Sequence, residues 1–218
     1  MATQNLIINT KNGPVKGFID THPVEQYSSQ SSVTKGDLPP VLKWLGIPYA
    51  SATRFQRPTD PQPWQRDKEC FEFGTMFPQP QGMTEQLLSK LPGFVLRSQI
   101  KQSEQSHFVN VFVPGDYKQG EQLPVMVFIY GGALNTGSSD RYFYDPTSLI
   151  RSQSPSQRCI VVTGNYRINI FGFLSSPELS NADSEGLSGN YGLYDCVKLF
   201  EWVRIHFLSY SSLCTEAL

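Results

Sequence analysis

The residues best placed to do chemistry lie in Ile129-Tyr130-Gly131-Gly132-Ala133-Leu134-Asn135-Thr136-Gly137-Ser138. An unbroken apolar run, Val125-Met126-Val127-Phe128-Ile129-Tyr130, leads straight into two adjacent glycines. Glycine accepts backbone angles closed to other residues and lets another group approach the chain closely. Such a turn can aim consecutive N–H groups at one point, which is what stabilises a negatively charged oxygen during acyl transfer. Read alone, the pair is equally an ordinary Gly-Gly turn after a strand.

A nucleophile and a base to accompany that turn are not found. A serine on a strand-to-helix elbow is written Gly-x-Ser-x-Gly. Gly186-Leu187-Ser188-Gly189-Asn190 misses this spacing by one residue and stands in a loop before a helix. Gly137-Ser138-Ser139-Asp140 fails as well, so no serine is assigned. His22 lies in a loop beside a proline, His107 at a strand start and His206 near the end of the sequence. Each reads as a surface residue rather than a base. Cys70, Cys159, Cys196 and Cys214 form no CxxC pair, so no metal site is expected, and no cofactor is implied.

The elements that must position the glycine turn follow from hydrophobic periodicity. Leu6-Ile7-Ile8 and Val15-Lys16-Gly17-Phe18-Ile19 flank Lys11-Asn12-Gly13-Pro14 and predict a hairpin. Residues 27–36 read as a loop, Val41–Gly46 as a third strand, and the proline-rich stretch 53–64 as irregular surface chain. A short helix is predicted over 84–91. His107–Pro114 alternates and predicts a half-buried strand, whereas Val125–Tyr130 is apolar throughout and predicts a strand covered on both faces. Cys159–Thr163 has that same character, and Pro146–Arg151 predicts a short helix. Leu193, Val197, Phe200 and Val203 mark one face of a helix over 191–203, with Asn190 as its cap. Buried strands interleaved with helices predict an α/β fold with a mainly parallel centre, in a single domain without repeats.

Bulk properties narrow the partners. Lys and Arg total 18 against 19 Asp and Glu, which disfavours nucleic acid or an anionic membrane surface. No apolar run approaches the length of a membrane span, no signal-peptide pattern opens the sequence, and no Asn-x-Ser/Thr sequon occurs. A cytoplasmic location is the expectation.

Five blocks, in order, then resemble one family. They are Leu45-Gly46-Ile47-Pro48-Tyr49-Ala50 with Arg54-Phe55 and Pro58; Ser103-Glu104 with Val109-Asn110-Val111; the Gly131-Gly132 turn; Asn165-Tyr166-Arg167 with Phe171-Gly172-Phe173-Leu174; and Gly189-Asn190-Tyr191-Gly192-Leu193-Tyr194-Asp195 with Trp202-Val203. Together they resemble the carboxylesterase type B (cholinesterase-like) family of the α/β-hydrolase superfamily, from about residue 6 to Val203. The resemblance implies ester hydrolysis by a serine, a histidine and an acidic residue. It implies an oxyanion hole using the N–H groups of Gly132 and Ala133, with Gly131 permitting the turn. It also aligns Arg54 with Glu104, and Arg167 with Asp195, as structural ion pairs. In extracellular relatives a cysteine near Cys70 bridges one at the position of Ser106; a serine there leaves Cys70 without that partner.

The sequence departs from the family after Val203. Residues 1–203 are expected to be the front part of the domain. Residues 204–218 are expected to be a non-family tail, out-of-frame or intron-derived, or else a divergent helix end. The elbow and the rest of the triad belong to the part not represented, so the sequence is expected to be a truncated esterase, inactive alone. A non-catalytic cholinesterase-like interaction protein, or a splice product that regulates its parent, is the alternative. In the implied fold the strand ending at Tyr130 lies beside the nucleophile's strand. Val125–Ile129 is therefore expected to form an open edge prone to self-association.

Overall fold

The computed structural model describes residues 6–21, 39–80, 101–118 and 120–208. Seven strands form one sheet: β1 (Leu6–Thr10), β2 (Gly13–Asp20), β3 (Val41–Pro48), β4 (Lys68–Glu69), β5 (Phe108–Pro114), β6 (Val125–Ile129) and β7 (Ile160–Gly164). The helices are α1 (Thr147–Arg151), α2 (Asn169–Phe173), α3 (Pro177–Ala182) and α4 (Tyr191–Val203). The loop expected at 27–36, the helix expected at 84–91, and His22 lie outside the described residues.

The sheet runs in the order β1-β2-β3-β5-β7-β6, with β4 beside β2. Its centre is less parallel than the sequence suggests. The pairs β1–β2, β2–β3, β3–β5 and β5–β7 are antiparallel; only β6–β7 and the short β2–β4 pair are parallel. Parallel neighbours need a crossover connection. Between β6 and β7 that crossover carries α1, as the alternating pattern requires.

The hairpin forms with Thr10 opposite Gly13, so Lys11 and Asn12 make its turn. The hydroxyl of Thr10 accepts from the N–H groups of Asn12 at 3.3 Å and Gly13 at 3.2 Å. The irregular proline-rich stretch is fastened to this turn. Trp64 N–H donates to the Asn12 carbonyl at 2.8 Å, and Asn12 Nδ2 donates to the Pro61 carbonyl at 3.0 Å.

Two layers of core flank the sheet. On one face Val109, Val111 and Val113 of β5 and Ile160 and Val162 of β7 pack with Leu199, Trp202 and Val203 of α4. On the other, Phe112 and Val161 pack with Val41, Leu45 and Ile150 of α1. Burying one such side chain contributes about 1.5–3 kcal/mol. Both faces of β5 are therefore covered, and from Val109 onward every residue is buried. That corrects the half-buried reading. The strand lies between β3 and β7, and its one polar residue, Asn110, is satisfied inside the protein. β6 departs in the opposite sense. It is the last strand of the described sheet, none of its five residues is buried, and Met126 is 41% exposed.

Helix α4 occupies the residues its periodicity marked, but of the four residues on the expected face only Val203 is buried. Leu193, Val197 and Phe200 are 52%, 55% and 50% exposed, while Tyr191, Asp195, Leu199 and Trp202 are buried. The helix carries apolar residues on two opposite sides, so period alone does not choose between them. Asp195, which binds an arginine in the interior, decides the orientation. Asn190 is not a side-chain cap. It holds a left-handed conformation (φ 56°) and offers its carbonyl to the N–H groups of Leu193 and Tyr194. The helix runs on into a wider π turn, Arg204–Leu208.

Candidate active site

The glycine turn leaves the end of β6 in a conformation that most residues avoid. Gly132, Ala133 and Leu134 all have positive φ, at 145°, 53° and 59°. Two consecutive non-glycine residues in that region are uncommon and persist only when their surroundings impose it. The cause here is a set of anchored carbonyls. The Gly132 carbonyl accepts from the N–H groups of Asn135 (3.0 Å) and Thr136 (3.1 Å). The Leu134 carbonyl accepts from Asn169 N–H at 2.6 Å, at the start of α2. Position 132 admits no side chain, because a Cβ there would stand 1.8 Å from the Thr136 carbonyl oxygen. Among the described residues no acceptor takes the N–H of Gly132 or Ala133, and both residues are exposed.

Beneath the turn lies a buried polar scaffold. Tyr130 donates its hydroxyl to the Tyr166 carbonyl at 2.6 Å, and Tyr166 returns the bond to the Tyr130 carbonyl at 3.1 Å. Their rings stack with centroids 4.5 Å apart. Burial pushes both phenols up, so both remain protonated donors. Asn165 Oδ1 accepts from both the N–H (2.9 Å) and the hydroxyl (2.8 Å) of Ser139. Asn110 Nδ2 donates to Ser139 Oγ (3.1 Å) and Thr163 Oγ1 (2.9 Å), and its Oδ1 accepts from Gly46 N–H at 2.9 Å. Gly46 has a φ of 73° and fills the bulge between Trp44 and Ile47, where the Glu72 carbonyl lies 2.8 Å from a would-be Cβ. This explains the glycine in the Gly-Ile-Pro-Tyr block.

The two aligned ion pairs sit in different surroundings. Arg54 clasps Glu104 at the surface: Nε to Oε2 is 2.8 Å, and Nη2 bonds Oε1. Arg54 is 57% exposed in its side chain, so screening leaves this pair little weight in stability. Arg167 and Asp195 are 4% and 0% exposed. Asp195 accepts from Arg167 Nη2 (2.8 Å), Nε (2.8 Å) and backbone N–H (2.9 Å). His107 Nε2 stands 3.1 Å from Asp195 Oδ1. Burial alone raises the Asp195 carboxyl, but the hydrogen bonds from Arg167, with the His107 ring close by, outweigh it and hold it below the ordinary carboxylate range. Arg167 also reaches the Gln56 carbonyl at 2.8 Å, tying α4 to the Arg54–Pro58 loop.

The histidine readings need correction. His107 is 2% exposed, wedged edge-on against the rings of Tyr49 and Phe77. His206 is 5% exposed and stacked on Trp202. Its Nδ1 lies 2.7 Å from the Trp202 carbonyl, and its Nε2 accepts from Lys11 N–H at 3.1 Å. Burial lowers its pKa. Neither histidine is joined to a serine hydroxyl by a hydrogen bond among the described residues.

The free cysteines read as packing. Burial pushes the Cys70 thiol up to about 12 and the Cys196 thiol up to about 11. Cys159 is half-buried at the start of β7, where Gln153 Nε2 approaches its sulfur at 3.0 Å. Ser106 bonds Thr75 and the Ser103 carbonyl. No group of three His, Cys, Asp or Glu suited to a metal ion occurs among the described residues.

Sequence reasoning missed the Tyr130–Tyr166 exchange and the Asn110–Ser139–Asn165 scaffold. Asn110 did carry a signal, since an asparagine inside an otherwise apolar strand must find partners there. The two-sided anchoring of the turn had none, because its partners are distant in sequence.

The sheet is part of the fold shared by α/β-hydrolases of the esterase kind. The model of the carboxylesterase family matches residues 4–210, seven residues past Val203. The chain belongs to that family. It is 34% identical over 183 residues to para-nitrobenzyl esterase of Bacillus subtilis (strain 168), covering 82% of this chain and 33% of the relative. Against carboxylesterase 1D of Mus musculus it is 31% identical over 205 residues, covering 91% and 32%. Among solved structures, a thermophilic pNB esterase superposes with a TM-score of 0.68 at 32% identity, covering 97% of this chain and 36% of that one. The chain thus spans about a third of the length of the relatives it matches. No described helix is long and apolar enough to cross a membrane.

Proposed function

We propose that this chain supplies the oxyanion-binding half of a carboxylic-ester hydrolase and does not turn over esters by itself. The observation that carries the reading is the left-handed turn at Gly132, Ala133 and Leu134. The carbonyls of Gly132 and Leu134 are engaged in anchoring and the N–H groups of Gly132 and Ala133 are not. Two adjacent amides held open after a strand suit a developing alkoxide, and donors of this kind act only on charge that a nucleophile creates. The 218 residues contain no Gly-x-Ser-x-Gly. A whole enzyme built on this scaffold would hydrolyse esters through a serine elbow, as its family membership supports. The ion pairs Arg54–Glu104 and Arg167–Asp195 are structural in this reading. A reducing, cytoplasmic setting suits the free thiol of Cys70 in the core. The test is hydrolysis of p-nitrophenyl acetate by the purified chain. The expected rate equals that of buffer; hydrolysis that disappears on unfolding would refute the reading.

A further inference from the structure

Gln79 is hydrogen-bonded to the turn through its side chain. Its side-chain amide grips Gly137, the far end of the turn, from both sides. Gly137 N–H donates to Gln79 Oε1 at 2.7 Å, and Gln79 Nε2 donates to the Gly137 carbonyl at 2.8 Å. The second hydrogen on Nε2 goes to the Phe77 carbonyl at 3.1 Å. Arg141 Nη2, 3.4 Å from Oε1, points the amide oxygen the same way. A side-chain amide offers one oxygen that accepts and two N–H groups that donate, and here all of them are in use.

Gln79 is itself held in the same manner. Its backbone N–H donates to Gln102 Oε1 at 3.0 Å, and Gln102 Nε2 donates to its carbonyl at 3.2 Å. A bridge between Met76 and Gln102 fixes the second strand of chain, with Ser103 N–H on the Met76 carbonyl at 2.9 Å. Two glutamine amides in series therefore bind Gln102 to Gln79 and Gln79 to Gly137.

Gly137 is a point where this grip has leverage. Its φ is 138°, and a Cβ there would meet the Tyr130 ring at 2.3 Å and the Gly131 carbonyl at 2.8 Å. The residue is thus wedged against the base of the turn. Displacing it moves Gly131 and Tyr130 with it.

We infer that Gln79 is a positioning residue for the Gly132–Ala133 donors, acting through Gly137, and that Gln102 sets Gln79. Its bearing on ester hydrolysis rests on the function proposed above. The relay itself does not, since it can be read without any turnover.

The experiment is amide hydrogen exchange by mass spectrometry on the full chain, comparing wild type with Gln79→Glu and Gln79→Asn. Glutamate keeps the shape and the acceptor but, when ionised, donates nothing to Gly137 or Phe77. Exchange in the peptide covering 131–138 should rise about tenfold at neutral pH, the effect of losing two ordinary hydrogen bonds. The ratio to wild type should begin to fall only as pH drops to about 4 and below, where the carboxyl gains the one proton that lets it donate to a single carbonyl. Asparagine is too short to reach Gly137, so its increase should not depend on pH. Peptides from β5 serve as the control and should not change. Wild-type exchange in both variants would overturn the inference. So would an increase shared equally by β5, which marks general loosening.

Discussion

Strands β5 and β6 invert what their sequences say. His107–Pro114 alternates and carries an asparagine, yet from Val109 to Pro114 it is buried throughout. Val125–Ile129 is uniformly apolar, yet it is half-exposed along its length. The difference lies in position. β5 has a strand on each side and a core on each face; among the described residues β6 pairs with β7 alone. A strand's composition records what its side chains tolerate, whereas burial is set by neighbours that come from elsewhere in the chain. The β5 side is consequently held by polar groups that cannot be removed singly. The β6 side holds the exposed donors and little that depends on them.

The strongest way to test that contrast is to cut the polar support behind β5. Asp195→Ala leaves Arg167 buried and uncompensated, and should cost about 3–5 kcal/mol in denaturant unfolding. The same carboxyl gives an acid dependence. Its pKa is lowered in the folded state, so its stabilisation is complete above the unfolded value of about 4 and is lost as pH falls below that. Asp195→Asn should flatten this acid limb; an unchanged limb would place the acid sensitivity elsewhere.

Asn110→Ala comes next. It strips Gly46, Ser139 and Thr163 of buried partners, and should cost about 2–4 kcal/mol, with the loss read from the unfolding midpoint. A shift no larger than that of a surface mutant would mean that β5 is not the rigid side. The smallest effect belongs to β6. Met126→Lys, at a position 41% exposed, should change stability by no more than about 0.5 kcal/mol while reducing self-association in sedimentation. A large loss would show that β6 is covered after all.

The sequence made the local elements legible and the neighbours illegible. The hairpin, β3, β7 and α4 lie where patterning put them, since each is specified by residues within a few positions. Failures came where the deciding contact is distant. Helix α4 has two apolar sides, and Arg167, 28 residues before Asp195, selects between them. His107 and His206 looked like surface residues because nothing adjacent reveals the rings of Tyr49, Phe77 and Trp202 that enclose them. At the site, Gly131 and Gly132 announced a turn in the sequence. The partners that shape it, Gln79, Tyr166 and Asn169, are brought in only by the fold.

Labelling with a serine-directed fluorophosphonate, followed by peptide mapping of the folded chain, bears on the central claim most directly. No adduct is expected on any serine within these 218 residues, because none of them stands in a Gly-x-Ser-x-Gly elbow. An adduct mapped to a single serine, and lost on unfolding, would contradict the account.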